Sequence, residues 1–357
     1  MKPRIAIREL EIPAAPDAPG WREFETAMRI HYDTEAETYE TRDFAYTARE
    51  ALPDYLDQEN QPTRLFVARE GSAIVGVARY ELEAGDDPQT VWMLIDVPAE
   101  HRGRGIGRAL SEWLESVAHT DAVRKAIVYS PSAALPGARI TALSGAGSVA
   151  ANDRSVQALQ RSGFRLEQVI RASRLSLPFD ARSVLADAAA RSGSDYRLHY
   201  WIDRTPERWL DDLALFNTRM STDDPSAGLE EPEDIWTPER VIASEVRAVA
   251  TGRTTLFAAV EDIASGQLIG FTTLSVPPEP DRAVAQVDTI VLGEHRGHRL
   301  GMLLKLANLD HLARERPGHP AVVTFNAEEN RYMLDVNEAV GFVAVGYEGG
   351  WRKDLPR

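Results

Sequence analysis

The chain has 357 residues, 43% hydrophobic and 27% charged, with a formal net charge of −15 and no cysteine. That length favours two domains with ordinary globular cores, and the missing thiols exclude disulfides, thiolate nucleophiles and cysteine-ligated metals. The acidic balance argues against a broad nucleic-acid surface and makes a cationic amine an easier partner than a phosphate polymer.

Along the chain, Arg4 to Ile12 reads as a first strand, followed by a helical region holding Tyr32, Tyr39 and Tyr46 among acids; these tyrosines read as packing residues. Leu65 to Glu70 reads as a strand, with a turn and a second strand through Gly76. Val91 to Val97 is β-rich and ends at a basic glycine loop. Ile106, Leu110, Leu114 and Val117 then recur at helical spacing. Lys125 to Tyr129 reads as a strand, and Ser130 to Ala151, rich in Ser, Gly and Ala, as a long loop. A short helix ends at Gly163-Phe164. Asp180 to Arg191 is a connecting helix stopped by Gly193. The pattern then starts again. Asp195 to Asp203, Leu256 to Glu261, a strand through Gly270, Val284 to Val291 and Ala321 to Phe325 are strands. Leu300, Leu304 and Leu312 mark a helix, and another helix ends at Gly341-Phe342.

The repeat is explicit in residues. Val97-Pro-Ala-Glu-His-Arg-Gly-Arg-Gly-Ile-Gly107 returns as Val291-Leu-Gly-Glu-His-Arg-Gly-His-Arg-Leu-Gly301, an offset of 291 − 97 = 194. Asn152 stands eleven residues before Gly163, and Asn330 eleven before Gly341. We expect domains at 1–178 and 195–357, joined by 179–194. No long apolar run suggests a membrane span, and Met1 to Pro16 lacks a signal-peptide pattern; a cytoplasmic protein is expected. The histidines show no metal-ligand spacing, so no metal is expected, and oligomeric state is unreadable.

A glycine loop between strand and helix brings backbone N–H groups close to a ligand, and the helix dipole favours an anion there. Arg102, Arg104 and Arg108 add charge in the first copy; Arg296, His298, Arg299 and Lys305 do so in the second. No Gly-Lys-Ser/Thr follows, so this is not a nucleotide-triphosphate loop. The Arg-x-x-Gly-x-Gly pattern after an apolar strand, with a later Asn before Gly-Phe, resembles the acetyl-CoA loop of the GNAT superfamily, once in each half. The resemblance implies an α/β fold in each half, a mixed, mostly antiparallel sheet flanked by helices. It also implies an acetyl-CoA-dependent N-acetyltransferase acting on a primary amine of a small molecule, with acetyl-CoA as acyl donor. In such proteins Val97 and Val291 would offer backbone hydrogen bonds to the pantetheine arm. Arg102, Gly103, Arg104, Gly105, Ile106, Gly107 and Arg108, and likewise Arg296, Gly297, His298, Arg299, Leu300 and Gly301, would wrap the pyrophosphate. Asn152 and Asn330 would face the cofactor. Two departures stand out: Arg299 replaces the motif's first glycine, and the family's tyrosine acid, seven residues after the Asn, is Leu159 in one copy and Asn337 in the other.

Amide formation needs a base for the ammonium and polarisation of the carbonyl. Asp96 and Asp288, on the strands entering the loops, are carboxylate candidates, and Asn337 could donate a hydrogen bond. The acidic run from Ser221 to Trp236, with Asp223, Asp224 and Trp236, reads as an amine-attracting lip. Asp288 and this lip single out the second copy as catalytic. The alternatives are a pair of degenerate domains that sense acyl-CoA without turnover, and an aminoacyl transferase using charged tRNA, against which the acidic balance argues.

Overall fold

The computed structural model describes residues 5–85, 87–223 and 225–356. Arg4 and Asp224, both named above, lie outside them. The first half comprises β1 (Ala6–Leu10), α1 (Trp21–Tyr39), α2 (Ala48–Leu56), β2 (Thr63–Glu70), β3 (Ala73–Leu82), β4 (Thr90–Asp96), α3 (Ile106–Thr120), β5 (Lys125–Ser132), β6 (Arg139–Thr141), β7 (Ser148–Ala150), α4 (Arg154–Arg161) and β8 (Arg165–Ser176). Helix α5 (Ala181–Ser192) follows in the connecting segment. The second half comprises β9 (Tyr196–Ile202), α6 (Leu210–Asp223), α7 (Pro238–Ala250), β10 (Thr254–Asp262), β11 (Gln267–Val276), β12 (Val284–Val291), α8 (Leu300–Glu315), β13 (Ala321–Ala327), α9 (Arg331–Val340) and β14 (Val343–Asp354).

Twelve strands form one mixed, mostly antiparallel sheet in the order β1-β2-β3-β4-β5-β14-β8-β13-β12-β11-β10-β9. The parallel neighbours are β4–β5 and β12–β13, each joined through a helix as parallel strands require. The closing strands are exchanged: β14 of the second half pairs with β5, and β8 of the first pairs with β13. β8 and β14 pair with each other at the centre. The segment expected to be a plain loop, Ser130 to Ala151, carries the small β6–β7 ribbon, with Gly145 and Gly147 in the left-handed region at its turn.

Alternation along the strands sends one set of side chains to each face. On one face Val91, Met93 and Ala126 pack under Ile106, Leu110 and Leu114 of α3. On the other, Leu65, Val67 and Val77 meet Phe24, Met28 and Tyr55 of α1 and α2. The second half repeats this with α8 on one side and α6 and α7 on the other. The halves are also joined by buried charge. Glu50, 3% exposed, receives Arg253 at 2.9 Å and Arg282 at 2.8 Å, while its carboxylate also accepts the Thr47 N–H in the capping box of α2.

Candidate active site

Strand β4 pairs with β5 only from Thr90↔Lys125 to Trp92↔Ile127. Beyond that the two strands part, so the backbone from Met93 to Val97 faces a gap. An extended amide-bearing chain can enter such a gap and pair with the free edge. β12 and β13 part likewise after Ala285↔Val323.

A short 3-10 turn, Ala99–His101, leads from β4 into the loop. Gly103 and Gly105 take φ of 74° and 86°, and a Cβ at either would meet nothing within 4 Å. Gly105 is the N-cap of α3 and offers no side-chain cap. The first N–H groups of the helix therefore remain donors at its positive end, which suits a pyrophosphate. In the second copy the same place is held by Arg299, forced to φ 58°, again without a side-chain cap.

The loop arginines are engaged within the protein. Arg102 Nε donates to the Val97 carbonyl at 2.8 Å, and its terminal nitrogens grip Glu37 of α1 at 2.8 and 2.7 Å. Arg296 repeats this on the Val291 carbonyl at 3.1 Å and on Asp223 at 2.8 Å. Both arginines thus brace the loop against the strand it leaves and the helix above it. Arg104 pairs with Glu70, and Arg108 lies exposed beside Glu112. Lys305 lies away from solvent, 1% exposed and near the Phe342 ring, and burial lowers its pKa to about 7, which weakens the charge expected of it.

In the first copy, alternation along β4 turns Trp92, Leu94 and Asp96 to the face that lies under α1. His31 Nδ1 lies 2.9 Å from Asp96 Oδ2. A carboxylate can only accept there, so Nδ1 carries the hydrogen and Nε2 is left as the basic nitrogen. Burial opposes protonation of His31, but the Asp96 carboxylate outweighs it and the pKa is raised. One helical turn on, Glu35 is pushed up to about 7, chiefly by burial, with Asp96 adding to it against His31. Glu348, on the exchanged strand β14, is pushed up to about 8 by burial and by Glu35. Both glutamates are part-buried. A cavity of about 230 Å³ opens between α1 and the 3-10 turn, walled by Thr34, Glu37, Pro98 and His101. A larger one, about 550 Å³, lies elsewhere between β1 and α2, where Arg64 and Glu9 are already ion-paired.

The acidic run of the second half crosses to the first copy. Glu231 accepts from Trp92 Nε1 at 3.2 Å and from the Tyr129 hydroxyl at 2.8 Å, and Glu230 pairs with Arg352 at 2.6 Å. Within its own half the run closes space. Asp234 N donates to Ser221 Oγ at 3.0 Å, and Trp236 N to Thr218 Oγ1 at 2.9 Å. The face of Trp236, expected to receive a substrate cation, is covered by its own Arg240 at 4.3 Å, and its indole N–H is held by Asp234. Asp223 is engaged by Arg296, and Asp224 is outside the described residues.

The other sequence-derived residues fall as follows. Asp288 Oδ2 accepts from Thr273 Oγ1 at 3.1 Å. Asn337 is 1% exposed, donates to Asn326 Oδ1 at 2.6 Å, and keeps its own buried oxygen unpartnered. Asn330 caps α9 by accepting from Met333 N. Asn152 is exposed and bonded to the Pro136 carbonyl, while Asp153 caps α4. A Cβ at Gly301 would meet the Tyr332 hydroxyl at 3.4 Å. Position 290, which matches Asp96 at the offset of 194, is a buried Ile. Aligning α6 on α1 by their loop-bracing acids, Asp223 on Glu37, puts Ser221 at Glu35 and Asn217 at His31. His31, Glu35 and Glu348 were missed by sequence reasoning, and Glu231, within the acidic run, was expected to serve the second copy. The spacing of His31 and Glu35, one turn apart on a helix, was the available signal; nothing local marks Glu348. Among the described residues no group of His, Asp and Glu could hold a metal, and no helix is long and apolar enough to cross a membrane.

These features define two GNAT folds in tandem, and comparisons with known proteins agree. The model of the Acetyltransferase (GNAT) family matches residues 24–134. No curated protein matches the chain. Among solved structures, a tandem GNAT protein from the clavulanic acid biosynthesis pathway is 24% identical, with 99% of each chain covered and a TM-score of 0.71. A GCN5-related N-acetyltransferase from Sphaerobacter thermophilus is 14% identical over 99% of this chain and 96% of that one, with a TM-score of 0.61. A glucosamine N-acetyltransferase region of a fungal multi-domain GH3 β-N-acetylglucosaminidase reaches 0.60 at 13% identity, over 98% of this chain and 38% of that one. The chain thus shares its tandem fold with the clavulanic acid pathway protein along its whole length, and the family model covers part of its first copy.

Proposed function

We propose that the first copy transfers an acetyl group from acetyl-CoA to a primary amine of a small molecule, and that the second copy binds or braces without turning over. The observation that carries this is the His31–Asp96 pair beside the parted strands, with Ile290 and Asn217 in the corresponding places of the second copy. The parted strand edge and the uncapped start of α3 fit the donor. When bound, acetyl-CoA supplies an activated acetyl carbon and a thiolate leaving group. His31 Nε2 takes a proton from the ammonium, which frees the nitrogen lone pair; the new carbon–nitrogen bond replaces the carbon–sulfur bond. Asp96 holds the imidazole in the tautomer that leaves Nε2 free and stabilises the imidazolium that forms. The carboxylates under α1 favour a cationic acceptor. Leu159 can give no proton to the leaving thiolate, so rate rests on positioning and deprotonation.

The test is thiol release from acetyl-CoA with a panel of primary amines. His31→Asn should lower turnover by roughly 100-fold or more, as loss of a general base does. If Asp288→Asn stops turnover and His31→Asn does not, the second copy is the catalytic one and the assignment is overturned.

A further inference from the structure

We propose that the acceptor amine carries a second cationic group, seated by Glu348 and Glu35 under α1, while its reacting nitrogen lies at His31 and Asp96. This rests on the reading of the first copy as the transferase and narrows its substrate to a linear dication.

The geometry comes from strand register and helix pitch. Trp92 and Ile127 are the last paired residues of β4 and β5; Asp96 and Pro131 each lie four residues beyond, on the same face as that pair, where the strands part. Pro131 pairs with Glu348. Asp96 and Glu348 therefore share one face, two strands apart, and the parting of β4 from β5 sets them more than roughly 10 Å apart across the sheet. Above them α1 crosses from β4 to β14. His31 touches Asp96 at its near end, and Tyr39 lies against Gly346 at its far end, where a Cβ would strike the Tyr39 ring. Glu35 is midway, about 6 Å from each by helical pitch. A chain with nitrogens roughly 6–10 Å apart spans from the base to the glutamates.

Two observations point to an occupant. Among the described residues neither Glu35 nor Glu348 is ion-paired, although the acids that brace the loop, Glu37 and Glu70, each hold an arginine. The Tyr39 hydroxyl, in a side chain only 5% exposed, has no hydrogen-bond partner, and the charges of Glu348 and Glu35 both reach it. Burial keeps both carboxyls largely protonated in the empty fold, beside an unspent hydroxyl, and a bound cation would let them ionise. A guanidinium or ammonium does this; a neutral alkyl chain does not. Glu348 arrives only through strand exchange, so the second half contributes the specificity of the first.

The experiment compares thiol release for 1,4-diaminobutane and 1,5-diaminopentane with butylamine and pentylamine, in the full chain and in Glu348→Gln. The expected preference in kcat/KM is roughly 10- to 100-fold for the diamines, the worth of one charge-assisted contact, and it should collapse to within about threefold in Glu348→Gln through KM. Equal use of mono- and diamines by the native chain, or a preference that survives Glu348→Gln, overturns the proposal. Calorimetric titration of 1,5-diaminopentane without acetyl-CoA separates the two readings. If no amine releases thiol, the transferase reading fails, and diamine binding abolished by Glu348→Gln still supports the cation seat. Absence of diamine binding there removes the seat.

Discussion

An imidazole that takes a proton from substrate works only while it is itself unprotonated. Asp96 raises the His31 pKa, so the ascending limb of kcat/KM should lie above pH ~6.5, the ordinary histidine value. Asp96→Asn should move that limb to lower pH while reducing the rate; an unmoved limb would assign it to another group. Glu35, Asp96 and Arg79 are the charges that act on the ring, so the mutant shift isolates the Asp96 contribution. The glutamates act on stability instead. Their folded pKa values, about 7 and about 8, stand above the unfolded carboxyl value, so their favourable contribution is complete at low pH and is lost as pH rises through those values. The apparent Tm should fall between pH 5.5 and pH 8.5, and Glu348→Gln should flatten the fall. A Tm unchanged over that range in the native chain would show that the glutamates ionise freely.

At the scale of elements, the two loops form an internal experiment on backbone strain. Gly105 and Arg299 hold the same left-handed cap position at φ 86° and 58°. A side chain there costs about 1 kcal/mol, so Arg299→Gly should raise the unfolding free energy measured in urea by about that amount; an unchanged or lower value would show that the arginine stabilises its loop. The loop was legible in the sequence because Gly-rich spacing and charge are local signals, and so were most strands and helices from their periodicity. The arginine roles were not. Arg102 and Arg296 read as phosphate ligands from the loop pattern and its resemblance, and only the tertiary position of Glu37 and Asp223 shows that they also brace the loop. The acidic run was legible as acidic, but its destination across the molecule was not, because Trp92 and Tyr129 are more than ninety residues away from Glu231. Local residue patterns report what a segment is; its partner at such a separation depends on the whole chain.

At the scale of the whole molecule, the halves are interlocked. Removing the Glu50 side chain would leave Arg253 and Arg282 without their shared carboxylate at the join, and Glu50→Ala should cost about 3–5 kcal/mol in chemical denaturation. A smaller loss, near 1 kcal/mol, would mean water reaches those arginines. A chain ending at residue 194 keeps the first loop, His31 and Asp96 but lacks β14 and Glu348, so it should show neither cooperative unfolding nor turnover. The repeat displayed two equivalent halves; the crossing of β8 and β14 left no trace in it, because either closing strand could complete either sheet with the same alternation.

The exchange also imposes an order of events during synthesis. β5 ends at Ser132 and its neighbour β14 begins at Val343, 343 − 132 = 211 positions later. At roughly 5–20 residues per second, the nascent first half waits about 10–40 s with a bare strand edge. An open edge recruits other strands, so crowded ribosomes translating this message would be the place where neighbouring nascent chains trade partners.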